Sequence, residues 1–202
     1  MLMAEKRDFK FDKIASSYDN RRGTKILNRF YRPLVEQVNV VPGAALLDVG
    51  CGTGTILRYI SDKTAIQGYG IDIEENMIAE AKKKCPDMNI QVSSCDNTPF
   101  DNQQFDAITA CLAYHHFSDK KGFAKEAARI LKPEGILYIA DPRFPWLIRK
   151  TINGLVKLFH VVGFFGTPQE IFENFREYGF QLVGVHKDGF AQVVKLGLVR
   201  YC

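Results

Sequence analysis

Between residues 44 and 141, short apolar runs alternate with stretches of helical periodicity, and few folds accept that order. The runs are Ala45 to Val49, Gly68 to Ile73, Ile90 to Ser94, Phe105 to Cys111 and Gly135 to Ala140. They lack the in–out alternation of half-exposed strands, so burial on both faces is expected. Helical patterns lie between them: from about Thr55, over Glu75 to Lys84, and over Lys120 to Leu131. Strands of this kind alternating with helices imply a mostly parallel sheet covered on both sides, an α/β doubly wound, Rossmann-like fold. Pro86, Pro99 and the Lys132-Pro133-Glu134-Gly135 turn fall between elements, where chain breakers are tolerated.

Residues 9 to 40 are helical in character. Ile26, Leu27, Phe30, Tyr31, Leu34, Val35 and Val38 recur at spacings of three and four, and Val41-Pro42-Gly43 ends the stretch. At the other end, a helix over Pro168 to Tyr178 precedes strands Phe180 to Lys187 and Ala191 to Leu198. These strands join at Asp188-Gly189, a hairpin signal that gives the seven-stranded sheet an antiparallel edge and an antiparallel last strand. The 202 residues, 46% hydrophobic and 25% charged, suit one domain. Its expected parts are an amino-terminal helical lid (1–40), a core (44–141), an insertion (142–168) and a closing helix and hairpin (169–202).

Five cysteines, an odd number with no C-x-x-C pair, argue against a disulfide framework and against a zinc site, so no metal centre is expected. A reducing, cytoplasmic setting is expected. Met1 to Lys10 has no apolar secretory core. The run from Gly154 to Gly166 is interrupted by Lys157 and His160 and falls short of the roughly 20 residues of a membrane span. A net charge of +4 is too mild for a dedicated nucleic-acid binder unless the charge is gathered on one face.

The segment LLDVGCGTG, residues 46 to 54, carries the most chemistry. A buried strand runs into Gly50, Gly52 and Gly54 and then into a helix start. Glycine lets the backbone turn sharply and approach a ligand, and a helix start offers unpaired N–H groups. The dinucleotide fingerprint G-x-G-x-x-G fails in both registers, because Thr55 or Leu57 stands at its third glycine, and no Walker Gly-Lys-Ser/Thr follows.

Residues 44 to 141 resemble the class I S-adenosylmethionine-dependent methyltransferases, in particular the small-molecule branch that includes ubiquinone- and menaquinone-biosynthesis-like enzymes. Leu47-Asp48-Val49-Gly50-Cys51-Gly52-Thr53-Gly54 matches the first motif. S-adenosylmethionine is the implied cofactor and S-adenosylhomocysteine the product. The second element, GIDIEENMI (70–78), places Asp72 and Ile73 at a strand end. A carboxylate there can accept hydrogen bonds from both ribose hydroxyls, each worth roughly 1.5–3 kcal/mol, although the same acid would suit NAD. The resemblance sets Met77 near the adenine, Asp96 against its amino group with Asn97 alongside, and Tyr18 as a lid tyrosine, with Arg21 and Arg22 following. Asp48 can offset the cofactor's ammonium or sulfonium charge.

Methyl transfer needs alignment more than acid–base help. Positioning can supply roughly 7–11 kcal/mol, and a general base typically 10²- to 10⁴-fold. Ligands of doubly wound sheets sit beyond the carboxyl ends of the strands, so Ala113-Tyr114-His115-His116-Phe117 is expected at the edge of the reaction centre. His115 and His116 are candidate bases. Tyr114 and Asp141 are expected to line the acceptor pocket, together with Trp146 of the insertion. The Lys82-Lys83-Lys84 run reads as a solvated helix end. Residues 142 to 168 contain Arg143, Arg149, Lys150 and Lys157 and no acid, among many aromatic and aliphatic residues. That composition suits a substrate lid for an apolar or anionic acceptor, or contact with a membrane surface where a lipid-like substrate resides. The expected partner is a small-molecule acceptor. Alternatives are an RNA or protein acceptor met by the basic segment, or a non-catalytic cofactor-binding module.

Overall fold

The structure, a computed structural model, describes residues 21–158, 163 and 165–199, of which 21–26 and 156–158 are described by their backbone alone. Tyr18 and most of the expected lid lie outside the described residues, as do the side chains of Arg21 and Arg22. The strands are β1 (Ala44–Val49), β2 (Ile66–Asp72), β3 (Asn89–Val92), β4 (Phe105–Cys111), β5 (Leu131–Pro142), β6 (Phe180–Asp188) and β7 (Ala191–Leu198). They form a 7-stranded sheet in the order β3-β2-β1-β4-β5-β7-β6. β7 runs antiparallel to both neighbours, and the pairs from β3 through β5 are parallel. The antiparallel strand lies one place in from the rim, with β6 outermost. Composition explains this order: β7 is buried along almost all its length, whereas β6 is buried only at Phe180.

Helices α1 (Arg21–Gln37), α2 (Thr55–Lys63), α3 (Glu75–Lys84), α4 (Lys120–Ile130), α5 (Trp146–Leu158) and α6 (Pro168–Glu173) accompany the sheet. β1 is buried at every position. Its successive side chains enter opposite layers, as the two-residue period requires. Leu47 and Val49 join Leu137 and Ile139 of β5 and Phe123, Ala127 and Ile130 of α4. Leu46 joins Tyr138 and Ala140, with Leu34 of α1, Leu57 and Ile60 of α2, and Ile78 and Ala81 of α3.

Local chemistry fixes the helix ends. Asp119 caps α4 by accepting from the Gly122 N–H at 2.7 Å. Thr167 and Glu170 form a capping box on α6, with Pro168 in its first turn. Lys63 Nζ donates to the Val35 and Val38 carbonyls, 3.0 Å each, tying the end of α2 to the end of α1. The expected last helix is α6 followed by a separate 3-10 turn, Arg176–Tyr178. β5 begins at Leu131, earlier than expected. Leu131 pairs with Phe105, the chain then swings out through Glu134 at φ 64°, and pairing resumes at Ile136.

From β1 the chain builds outward to β3 and then crosses to β4 on the other side of β1. This topological switch opens a crevice at the carboxyl ends of β1 and β4.

Candidate active site

A cavity of about 210 Å³ occupies that crevice. Its floor is the loop between β1 and α2. The Gly50 and Cys51 N–H groups both donate to the Ile71 carbonyl, at 2.8 and 2.9 Å, folding the loop against β2. Gly50, Gly52 and Gly54 have φ of 70°, 51° and 78°, a region that side chains rarely adopt. They serve different ends. A Cβ on Gly50 would lie 2.5 Å from Ala113 Cβ, so this glycine admits the chain leaving β4. A Cβ on Gly54 would lie 3.3 Å from Ala81 Cβ, so this one admits α3. A Cβ on Gly52 would meet nothing within 4 Å. Gly52 itself lines the cavity.

Asp72, at the end of β2, accepts from the Gly52 N–H with Oδ2 (2.9 Å) and from the Glu74 N–H with Oδ1 (3.0 Å). It braces the loop while lining the cavity. Asp48 is buried, also lines the cavity, and accepts from Thr109 Oγ1 at 2.7 Å. Burial pushes its carboxyl up to about 7, against the pull of the Thr109 hydrogen bond, and the negative charge of Asp72 adds to the rise.

Of the other expected cofactor residues, Cys51, Ile73 and Met77 line the cavity, whereas Gly54, Asp96 and Asn97 do not. Asp96 and Asn97 are exposed, and Asp96 accepts from Ser94 Oγ, whose residue lines the cavity with Ser93 and Cys95. On the acceptor side only His116 of the expected set reaches the wall, beside Leu112, Ala113 and Phe117. The structure moves the others elsewhere. Tyr114 is buried in the core against Phe117, Phe123 and Phe175, because its position in the 3-10 turn Tyr114–His116 points the ring under the sheet's helical layer. His115 and Asp141 are buried and bonded to each other at 2.8 Å rather than lining the cavity. Trp146 is 63% exposed on α5.

Several residues at the site carried no distinctive sequence signal. Tyr31 reaches the cavity from α1. Lys84 is no solvated helix end: its Nζ donates to Thr53 Oγ1 (3.1 Å) and Thr55 Oγ1 (2.7 Å), pinning the far side of the glycine loop. Leu112 holds φ 53°, a strained conformation for leucine, where the chain leaves β4.

The charge of the lining separates the ligand classes. The described residues around the cavity include Asp48, Asp72 and Glu74 and no lysine or arginine. Such a wall suits a cationic nucleoside and repels a pyrophosphate. A family model described as a methyltransferase domain matches residues 47–139. The chain belongs to the class I S-adenosylmethionine-dependent methyltransferases. A demethylmenaquinone methyltransferase of Thermotoga maritima is 29% identical over 85% of this chain and 86% of its own. A ubiquinone/menaquinone biosynthesis C-methyltransferase of Geotalea daltonii is 33% identical over 69% of this chain and 66% of its own, so this methyltransferase spans about two thirds of that relative. In fold it is similar to the methyltransferase chain of a Haloferax volcanii complex with the Trm112 activator, with a TM-score of 0.83 at 19% identity over 97% of this chain and 100% of that one.

The residues present fit S-adenosylmethionine. Gly52 and Asp72 line the cavity, a Cβ at Gly52 would meet nothing within 4 Å, and Asp48 is a buried carboxyl whose ionised form a neighbouring cation would stabilise.

Proposed function

We propose that this methyltransferase methylates a small, largely apolar acceptor whose nucleophilic atom bears a proton, with His116 as the base. The observation that carries the proposal is the position of His116 on the wall of the cavity that the glycine loop, Asp48 and Asp72 also line. When bound, S-adenosylmethionine supplies a methyl group already activated on a sulfonium sulfur. Asp72 and the Gly52 backbone would hold the nucleoside, Asp48 would neutralise positive charge, and the loop from Leu112 to Phe117 would shape the acceptor side. The acceptor atom would take the donor's methyl group, and His116 would receive the proton that atom releases. Because positioning supplies more of the rate than the base, loss of His116 should slow turnover by roughly 10²- to 10⁴-fold and leave cofactor affinity intact.

The Thermotoga and Geotalea relatives act on menaquinone- and ubiquinone-type rings by name, which supports an aromatic, lipid-like acceptor. α5 supports the same class: Trp146, Leu147, Ile148 and Leu155 are exposed, and Arg143 and Lys150 flank them with no acid between residues 142 and 168. These exposed apolar side chains with nearby cations suit an anionic lipid surface from which such an acceptor would be drawn. The test is transfer of labelled methyl from S-adenosylmethionine to a reduced demethylnaphthoquinone, compared with total RNA and with a protein mixture. Labelling of the quinol alone supports the proposal, and labelling of RNA or protein alone overturns it.

A further inference from the structure

Asp141, next to last in β5, is 2% exposed, and His115 in the 3-10 turn is 6% exposed. The His115 Nδ1–Asp141 Oδ1 distance is 2.8 Å. A buried carboxylate and imidazole are costly to desolvate, and apolar residues of similar volume would fill the space at least as stably. What distinguishes this pair is its surroundings. The His115 ring lies 4.0 Å, centroid to centroid, from the ring of His116, the histidine on the cavity wall. It also stacks on Phe165 at 4.9 Å and 29°. Phe165 in turn is clasped to α5, its N–H donating to Asn153 Oδ1 and its carbonyl accepting from Asn153 Nδ2, both at 3.1 Å. The next carbonyl, of Gly166, accepts from the buried Gln192, which pairs with Asp141 across β5 and β7.

We propose that Asp141 and His115 are positioning residues for His116: the carboxylate fixes the tautomer and plane of His115, whose ring sets the His116 imidazole against the cavity. This rests on the assignment of His116 as base. With Nδ1 committed to Asp141, His115 cannot flip, and Phe165 makes its setting depend on where α5 and the following loop lie. The charged and titratable groups that face Asp141 are His115 and Tyr114 of the turn, Lys120 of α4 and Cys111 of β4.

The full chain supplies the test. In the wild-type protein, ring ¹⁵N spectra should show the neutral His115 ring with its proton on Nδ1, and an Nε2-only tautomer would overturn the proposal even if no variant folds. In His115→Phe, which keeps an aromatic ring on Phe165, and in Asp141→Asn, turnover of the accepted quinol should fall about tenfold while its KM and S-adenosylhomocysteine affinity stay within about twofold. The His116 limb of the pH–rate profile should move by about half a pH unit or more. The His116 ring resonance, titrated without substrate, should move in the same variants. Unchanged turnover and an unchanged His116 titration in both variants contradict the proposal. Failure of the wild type to bind S-adenosylhomocysteine would instead strike the functional reading, and the His116 titration would still be readable.

Discussion

Gly50 and Gly52 separate two duties that one motif conceals. Gly50→Ala drives a methyl into Ala113 at a positive φ and should unfold the loop, lowering the melting temperature and abolishing cofactor binding together. Gly52→Ala carries only the backbone penalty, about 1–2 kcal/mol, and should fold yet bind S-adenosylhomocysteine at least about tenfold more weakly, since its methyl enters ligand space. Equal loss of stability in both, by thermal melts, would contradict that division. Asp48 makes a pH-dependent prediction. Its folded carboxyl titrates near 7 against an ordinary 3.8, so the folded state holds the extra proton between those values and stability falls as pH rises through that window. Asp48→Asn keeps an acceptor for Thr109 and should remove this fall, melting higher than wild type at pH 8 while binding cofactor more weakly. A wild-type melting temperature that rises steadily from pH 5 to 8, with the same slope in the variant, would count against the assignment. Much of this was legible in LLDVGCGTG and in Asp72, because close backbone approach and a strand-end acid have short-range signatures. The His115–Asp141 pair was not, since it joins residues 26 positions apart that only the β4–β5 register brings together.

At the scale of elements, the strands were readable because burial on both faces leaves uninterrupted apolar runs. The exchange of β6 and β7 was not, because a hairpin signal specifies pairing and says nothing about which strand takes the rim. Lys84 was misread for a related reason: its neighbours Lys82 and Lys83 are exposed, and only the packing of α3 beside the glycine loop turns the third lysine inward. α5 carries the element-scale prediction. Trp146 is the only tryptophan of the chain, and Lys150 Nζ lies 5.4 Å from its ring centroid. Vesicles containing anionic lipid should therefore shift the intrinsic emission to the blue without any added label, and purely zwitterionic vesicles should do so far less. Arg143→Glu with Lys150→Glu should remove the shift, and an unchanged wild-type emission with anionic vesicles would show that this face does not lie on lipid.

Taken as a whole, the molecule joins a sheet whose switch point opens one crevice to a loop that lines it with carboxylates and backbone N–H groups. No helix among the described residues is long and apolar enough to cross a membrane. The two sides of the crevice come from different parts of the chain: β1, β2 and their loops supply Asp48, Gly52 and Asp72, and the turn after β4 supplies His116. Phe165, beyond α5, stacks on the neighbouring His115 ring. Calorimetric titration of S-adenosylhomocysteine into wild-type and Asp72→Ala protein decides whether the crevice binds S-adenosylmethionine through Asp72. Saturable one-site binding, weakened at least about tenfold in the variant, is the predicted result. No binding by wild type, equal affinity in the variant, or saturation by NADH in its place would contradict it.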